Sequence, residues 1–275
     1  MTGTDLDGLR AGDLDAREAH LYDLLDRARD FGDPAALAAL EALVRDYTQY
    51  HRSLYTRAMN QAGVLAAHLP VEAVREPLLE ALTDTRYNCQ AWAAMGCAAF
   101  GVRAAVPTLV ELLESPQWII VDEAIKALGA LGDAAVIPPL RPLLADDVEW
   151  VRQRTADALA EIGGPEALDA LWHEFEHRHF PRIGHIASAL ATFTPDVIPR
   201  LIAATDDPDP NRRYWAAVAL GSTGDEQVAP VLERLQAQDR GATVFDGEVR
   251  AAAKKALRTL RRIQAAVAAR EQSSP

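Results

Sequence analysis

The residues best suited to chemistry lie in one short run, Trp172 to Phe180, which reads WHEFEHRHF. Within it, His173-Glu174-Phe175-Glu176-His177 sets two imidazoles one helical turn apart with a glutamate between them. This is the HExxH spacing, in which both histidines bind zinc and the glutamate acts as base. His179 and His185 add further imidazoles nearby. Residues 165–180 read as a helix, but Pro181 ends it at once, and no downstream histidine or glutamate supplies a third ligand at the spacing such sites use. His173 and His177 are therefore weak candidates only. The expectation is no metal and no cofactor, with the run forming a polar helix face towards solvent or a partner. No Ser-His-Asp order, phosphate-cradling glycine loop or CxxC pair offers another route to catalysis.

A second set of residues could bind rather than react. Trp118, Asp122, Trp150, Arg154, Tyr214 and Trp215 are large and polar or aromatic at positions where helix packing needs only alanine and leucine. Tryptophan, tyrosine and arginine are also the types that dominate binding hot spots.

The elements that must position these residues are set by a spacing. Glycine-ended helical signatures end at Gly101, Gly132, Gly163, Thr194 and Gly224, with steps of 31, 31, 31 and 30 residues. A fixed period of this size marks a solenoid, whose units cannot bury their apolar faces alone. Each repeat reads as two antiparallel helices. In 133–163, Asp133 caps a first helix carrying Val136, Ile137, Leu140, Leu143 and Leu144 at helical spacing. A second helix starts near Trp150 and stops at Gly163–Gly164 before Pro165. The expected fold is all-α: a right-handed alpha-solenoid of about six to seven helical hairpins, whose second helices line a concave surface.

Over 1–275 a single cooperative solenoid is expected. Residues 1–31 are an N-terminal capping helix, with 6–30 continuous, and 32–70 an irregular repeat jointed by DYTQYHRSLY. Residues 71–224 are regular repeats, 225–270 a last repeat with a basic capping helix, and 271–275 a frayed tail. Arg152, Arg213 and Arg250 recur at matching positions and are expected to pair with the turn acids Asp147, Asp209 and Asp246.

Composition narrows the partner. The 275 residues carry a net charge of −12, which works against the counterion release that drives nucleic-acid binding. The opening is acidic with no apolar core of a signal peptide, and the longest uncharged apolar stretch, Cys89 to Val102, is too short to span a bilayer. Cys89 and Cys97 lie eight apart on one expected helix, too far to bridge. A cytoplasmic protein with reduced thiols is the expectation.

The segments DDVEWVRQRTADALAEIG (146–163), DPDPNRRYWAAVALGSTG (207–224) and DGEVRAAAKKAL (246–257) share an acidic turn, an arginine and an alanine-rich helix. In this they resemble the HEAT-repeat superfamily, and within it the short bacterial repeats called HEAT-like or phycobiliprotein-lyase-type. The resemblance implies the solenoid fold over roughly 70–270; lyase activity is implied by the family name alone. Two enzymes of the superfamily test the residues further. Deoxyhypusine hydroxylase needs His-Glu pairs at the start of second helices, where this chain reads Asp122-Glu123, Gln153-Arg154 and Tyr214-Trp215. HEAT-like DNA glycosylases cradle DNA with aromatic and acidic side chains, a pattern Trp118, Asp122, Tyr214 and Trp215 echo beside Arg152, Arg154, Arg212 and Arg213. The function expected is a non-catalytic protein- or peptide-binding scaffold; the alternative is a HEAT-like enzyme, glycosylase-like or metal-dependent and lyase-type.

Overall fold

The computed structural model describes residues 3–177 and 183–273. Among them the regular structure is helical throughout, apart from one isolated bridge between Ala242 and Glu248. The chain packs as two compact units, Met1–Val136 and Ile137–Pro275.

The first unit holds α1 (Gly3–Gly8), α2 (Leu14–Phe31), α3 (Pro34–Arg45), α4 (Arg52–Asn60), α5 (Ala62–His68), α6 (Val71–Ala81), α7 (Cys89–Ala99), α8 (Val106–Leu112) and α9 (Trp118–Leu131). The continuous capping helix expected over 6–30 is in fact two. Gly12 takes a left-handed φ of 82°, and Asp13 then caps α2 by accepting the Ala16 N–H at 2.9 Å. Arg27 on α2 bonds Asp5 of α1 at 3.0 Å and Asp33 beyond its own C-terminus, which ties α1 back onto α2. The polar-aromatic joint also differs from a loop. Tyr47–Gln49 make a 3₁₀ turn, and α4 starts within the joint because His51 Nδ1 accepts the Ser53 N–H. Leu21, Leu24, Leu40, Leu43, Leu54, Leu65 and Leu78 are wholly buried and form the core. Cys89 and Cys97 share α7 as the spacing requires, both buried as free thiols.

The second unit holds α10 (Ile137–Leu140), α11 (Glu149–Ile162), α12 (Gly164–His177), α13 (Gly184–Ala191), α14 (Ile198–Ala204), α15 (Pro210–Ser222), α16 (Ala229–Gln238) and α17 (Val249–Ser273). The first helix expected after Asp133 is largely replaced by tighter turns: a 3₁₀ turn over Ala134–Val136, the single turn of α10, and a 3₁₀ stretch over Arg141–Ala145. Pro138, Pro139 and Pro142 have no N–H to give, so the α ladder cannot form there. Asp133 still caps, accepting from Ala135 N–H rather than at the start of a long helix.

Second helices stack on one another within each unit: α7 on α9 in the first, and α11 on α13, α13 on α15 and α15 on α17 in the second. The periodic glycines end these helices in the left-handed region, with φ of 66° at Gly101, 63° at Gly132, 70° at Gly163 and 77° at Gly224. Where the period falls on Thr194 the last carbonyls are taken by hydroxyls instead, Thr192 donating to Ala189 O and Thr194 to Ala191 O. The tail expected to fray from 271 continues the α17 helix to Ser273; residues 274 and 275 lie outside the described residues.

Candidate functional site

The six candidate binding residues divide between the units. On α9 Trp118 is 65 % exposed in the first turn. Asp122, one turn on, is buried, and its carboxylate lies 2.6 Å from Lys126 Nζ, which also bonds Glu123 at 2.7 Å. Burial works against the Lys126 ammonium, but bonds to the two carboxylates outweigh it and its pKa rises. Asp122 is thus part of a half-buried ionic cluster, while Trp118 is the residue on this helix that presents a large apolar surface.

In the second unit Trp150 and Arg154 stand on α11, and Arg154 lies 3.8 Å from Asp157 of its own helix. Tyr214 and Trp215 stand on α15 as an edge-on aromatic pair 5.1 Å apart. The Trp215 ring covers Gly184, where a Cβ would come within 3.0 Å of it. Trp215 is therefore a packing residue that fixes α15 against α13. Because α13 stands between α11 and α15 in the stack, Arg154 and Tyr214 lie on helices that are not stacking neighbours.

His173 and His177 lie on α12 with rings stacked at 4.3 Å, and His177 Nδ1 hydrogen-bonds the His173 carbonyl at 2.9 Å. That bond leaves Nε2 as the outward ring nitrogen of His177. Among the described residues no three His, Cys, Asp or Glu side chains form a group that could hold a metal. His179 and Pro181 lie outside the described residues.

The repeated arginines are structural, but their partners differ from the acids expected. Arg152 Nη1 donates to the backbone carbonyls of Asp146 and Asp147, at 2.8 and 3.0 Å, not to the Asp147 carboxylate. Arg213 Nη1 makes the same pair with the carbonyls of Asp207 and Pro208, while its Nε reaches Asp239 at 2.7 Å. Arg250 pairs with Glu248 rather than Asp246. Asp209 instead caps α15 through the Asn211 N–H. Arg152 and Arg213 thus close their turns by donating to carbonyls that the end of a helix leaves without an intrahelical partner, and Arg250 does not.

Two features go beyond what the sequence showed. The first is how the long loop QDRGATVFDG between α16 and α17 is fastened. Thr243 N–H donates to Gly247 O, Val249 N–H to Gly241 O, and the Thr243 hydroxyl accepts from the N–H groups of Asp246 and Gly247. The fastened loop leaves Val244 81 % and Phe245 66 % exposed at its tip. Its base is held by Arg213 on Asp239, whose carboxylate also accepts the Gly241 N–H.

The second is a cavity of about 250 Å³ within the first unit, lined by Tyr47, Tyr50, His51, Tyr55, Asp84 and Trp92 among others. Asp84 accepts from the Tyr47 hydroxyl at 2.9 Å and from Arg86 through Nε and Nη2 at 2.9 and 2.6 Å. Arg86, more than the Tyr47 bond, holds the Asp84 pKa down at about 2. The folded pKa lies below the ordinary 3.8, so Asp84 contributes stability that is present above about pH 4 and lost as pH falls towards 2. Acid titration of Asp84→Asn is expected to show a shallower loss of stability in that window, by up to about 2 kcal/mol. Identical acid unfolding of variant and wild type would refute the assignment.

No helix among the described residues is long and apolar enough to cross a membrane. The chain matches the HEAT-repeat family model over residues 75–160 and 183–258, and the PBS lyase HEAT-like repeat over 151–171. Its similarity to phycocyanobilin lyase subunit alpha of Picosynechococcus sp. is 38 % identity over 183 residues, 61 % of this chain and 65 % of that protein, just under two thirds of the relative's length. Among solved structures, yeast importin-beta (Kap95p) superposes with a TM-score of 0.55 at 16 % identity, over 94 % of this chain and 42 % of that one. Kap95p in the structure of its binding to RanGDP gives 0.56 at 15 % identity, over 96 % and 42 %. These likenesses fall on hairpins stacked through their second helices, and with the family match running over more than half of the chain, this protein belongs to the HEAT-repeat family.

Proposed function

We propose that this chain is a non-catalytic scaffold that binds a protein or peptide partner. The observation that carries the reading is apolar surface held in place where solvent would ordinarily select polar residues: Trp118 on α9 of the first unit, and Val244 and Phe245 on the fastened loop of the second. A rigid aromatic side chain loses little freedom on binding and buries a large area, which is why such residues anchor interfaces. Trp150, Arg154 and Tyr214, on second helices of the other unit, extend the candidate surface there. Asp122 and Trp215 support it from within.

The relative's name places it as one subunit of a lyase, which favours a second reading: a subunit that acts on phycocyanobilin together with another chain. Visible absorption of phycocyanobilin mixed with the purified chain separates the two. The scaffold reading expects no saturable spectral change.

The partner test uses the full chain. A protein that co-purifies with it is identified, purified and titrated against wild type, Trp118→Ala, Phe245→Ala and the pair Arg154→Ala with Tyr214→Ala. At least one of the two exposed aromatics should weaken binding roughly ten-fold or more, with thermal stability held within about 1 kcal/mol because both side chains face solvent. If all of these leave affinity unchanged while charge reversal at Lys254, Lys255 and Arg258 abolishes it, the exposed cationic face of α17 is the docking site and the proposal fails.

A further inference from the structure

Charge is spread unevenly along this acidic chain, and the reversal of sign falls on one helix. Residues 249–270 hold seven lysines and arginines and no acid, although the whole chain carries −12. Arg250 is paired with Glu248. Lys254, Lys255, Arg258, Arg261 and Arg262 are exposed, and among the described residues none of the five has an ion-pair partner, on α17 itself or on the α15 and α16 packed against it. At 3.6 residues per turn they fall within an arc of about 120° and a length of about 12 Å, on the side away from the buried Ala253, Ala256, Leu257 and Leu260. Like charges one turn apart repel, which costs helix stability unless opposite charge lies over them. Past them α17 runs on as bare apolar helix: Ala265, Ala266, Ala268 and Ala269 are exposed, and Val267 is 49 % exposed. A cation row that continues into apolar surface fits a protein face, which offers both kinds of contact, better than a polyphosphate.

The chain itself carries a face of matching charge. Residues 3–33 hold nine acids against four arginines. On α2, Asp15, Asp23, Asp26 and Asp30 are exposed within an arc of about 80°, opposite the buried Leu21, Leu24, Leu25 and Ala28. Part of this charge is offset locally, since Asp23 lies 3.3 Å from Arg27 and Asp26 2.8 Å from Arg29. Arg27 is shared with Asp5 and Asp33, so it cannot neutralise all three, and exposed pairs of this kind are of small worth. Asp15 and Asp30 have no cation partner among the described residues. Asp23 to Asp30 span about 10 Å, close to the length of the cation row. Phe31, 81 % exposed, follows Asp30 as Val267 and its alanines follow Arg262, so each charged row ends in apolar surface.

We propose that the cationic face of α17 docks a second copy of this chain, on the acidic face of that copy's α2. The two faces differ, so the contact is head-to-tail, and association runs past dimers or closes into a ring. Exposed ion pairs are individually weak, so the contact is reversible and depends on salt. It uses a face that the scaffold reading leaves unassigned and is tested on the chain alone, so either can fail without the other.

Sedimentation velocity of the full chain, from micromolar to near-millimolar concentration, reads the association directly. Salt of about 0.1 M, where the Debye length is about 10 Å, screens the overall repulsion between copies but leaves charges in contact to attract. The average mass should climb with concentration there and fall back to a single chain near 1 M salt. Lys254→Glu with Arg258→Glu and Arg262→Glu should weaken association roughly ten-fold or more, and so should Asp26→Lys with Asp30→Lys. All five positions are exposed, and lysine in the last turns of α2 suits the helix dipole, so both variants should unfold within a few degrees of wild type. Combining the two sets in one chain exchanges the signs and should recover several-fold of the lost affinity. A mass independent of concentration, or unchanged association in either variant, would overturn the proposal. So would a DNA duplex that binds through α17 while the chain alone stays monomeric, which would assign the face to phosphates.

Discussion

Gly221→Ala is expected to destabilise the protein by about 2–3 kcal/mol, although alanine is the better helix former by roughly 1 kcal/mol. Gly221 lies on α15 where that helix crosses α17. A Cβ built there would come within 2.6 Å of the Ala256 Cα and 2.7 Å of its carbonyl oxygen. Both are backbone atoms, so no rotamer change relieves the clash and the helices must separate. Separation would uncover Ala252, Ala253, Ala256 and Leu257, all buried on α17. Thermal unfolding should fall by roughly 5–10 °C. Ala256→Gly in the same chain should recover only part of this, since it removes the Ala256 Cβ and leaves the Cα and carbonyl in place. A Gly221→Ala protein as stable as wild type would mean that the helices do not approach as described. Gly96 offers a contrast: its added Cβ would meet the ends of Leu78 and Met59, which can move.

Arg213→Met should cost about 2–3 kcal/mol, several times the effect of Arg152→Met. The two arginines close equivalent turns by donating to two carbonyls, so those contacts cancel in the comparison. Arg213 adds Asp239, whose carboxylate is nearly buried and whose pKa is lowered first of all by that bond. Without Arg213 the carboxylate is left charged in a poorly solvated place, with the Gly241 N–H as its hydrogen bond and the charge of Arg234 near by. Arg213→Lys should recover little, because one ammonium cannot reach a carboxylate and two carbonyls with the spread of a guanidinium. Denaturant unfolding of the three variants checks this. Equal losses in Arg213→Met and Arg152→Met would show that Asp239 contributes nothing. The same substitution frees the base of the loop that presents Phe245, so partner affinity should fall along with stability.

The parts of this protein legible in its sequence are those set by local geometry. A helix must be ended, and glycine does so most cheaply in the left-handed region, so Gly101, Gly132, Gly163 and Gly224 announce the repeat without any knowledge of contacts. Apolar spacing likewise identifies buried faces such as Leu109, Leu128, Leu159 and Leu220. Even the arginine after each turn is visible as a pattern. Its partner is not, since Arg213 could reach Asp207, Asp209 or Asp239, and only the packed helices bring the last within 2.7 Å.

Where several weak local preferences compete, the structure decided. Pro138, Pro139 and Pro142 replaced a helix that the apolar spacing called for, because a missing N–H outweighs side-chain periodicity. Trp118 and Trp215 look alike as tryptophans on second helices, yet one faces solvent and the other covers Gly184. The aromatic cavity was present in the sequence as the run Tyr47, Tyr50, Tyr55, but its meaning depends on Asp84 and Trp92 arriving from other elements. Sequence fixes which surfaces are apolar and where helices end. Which polar groups meet across dozens of residues depends on distances that only packing sets.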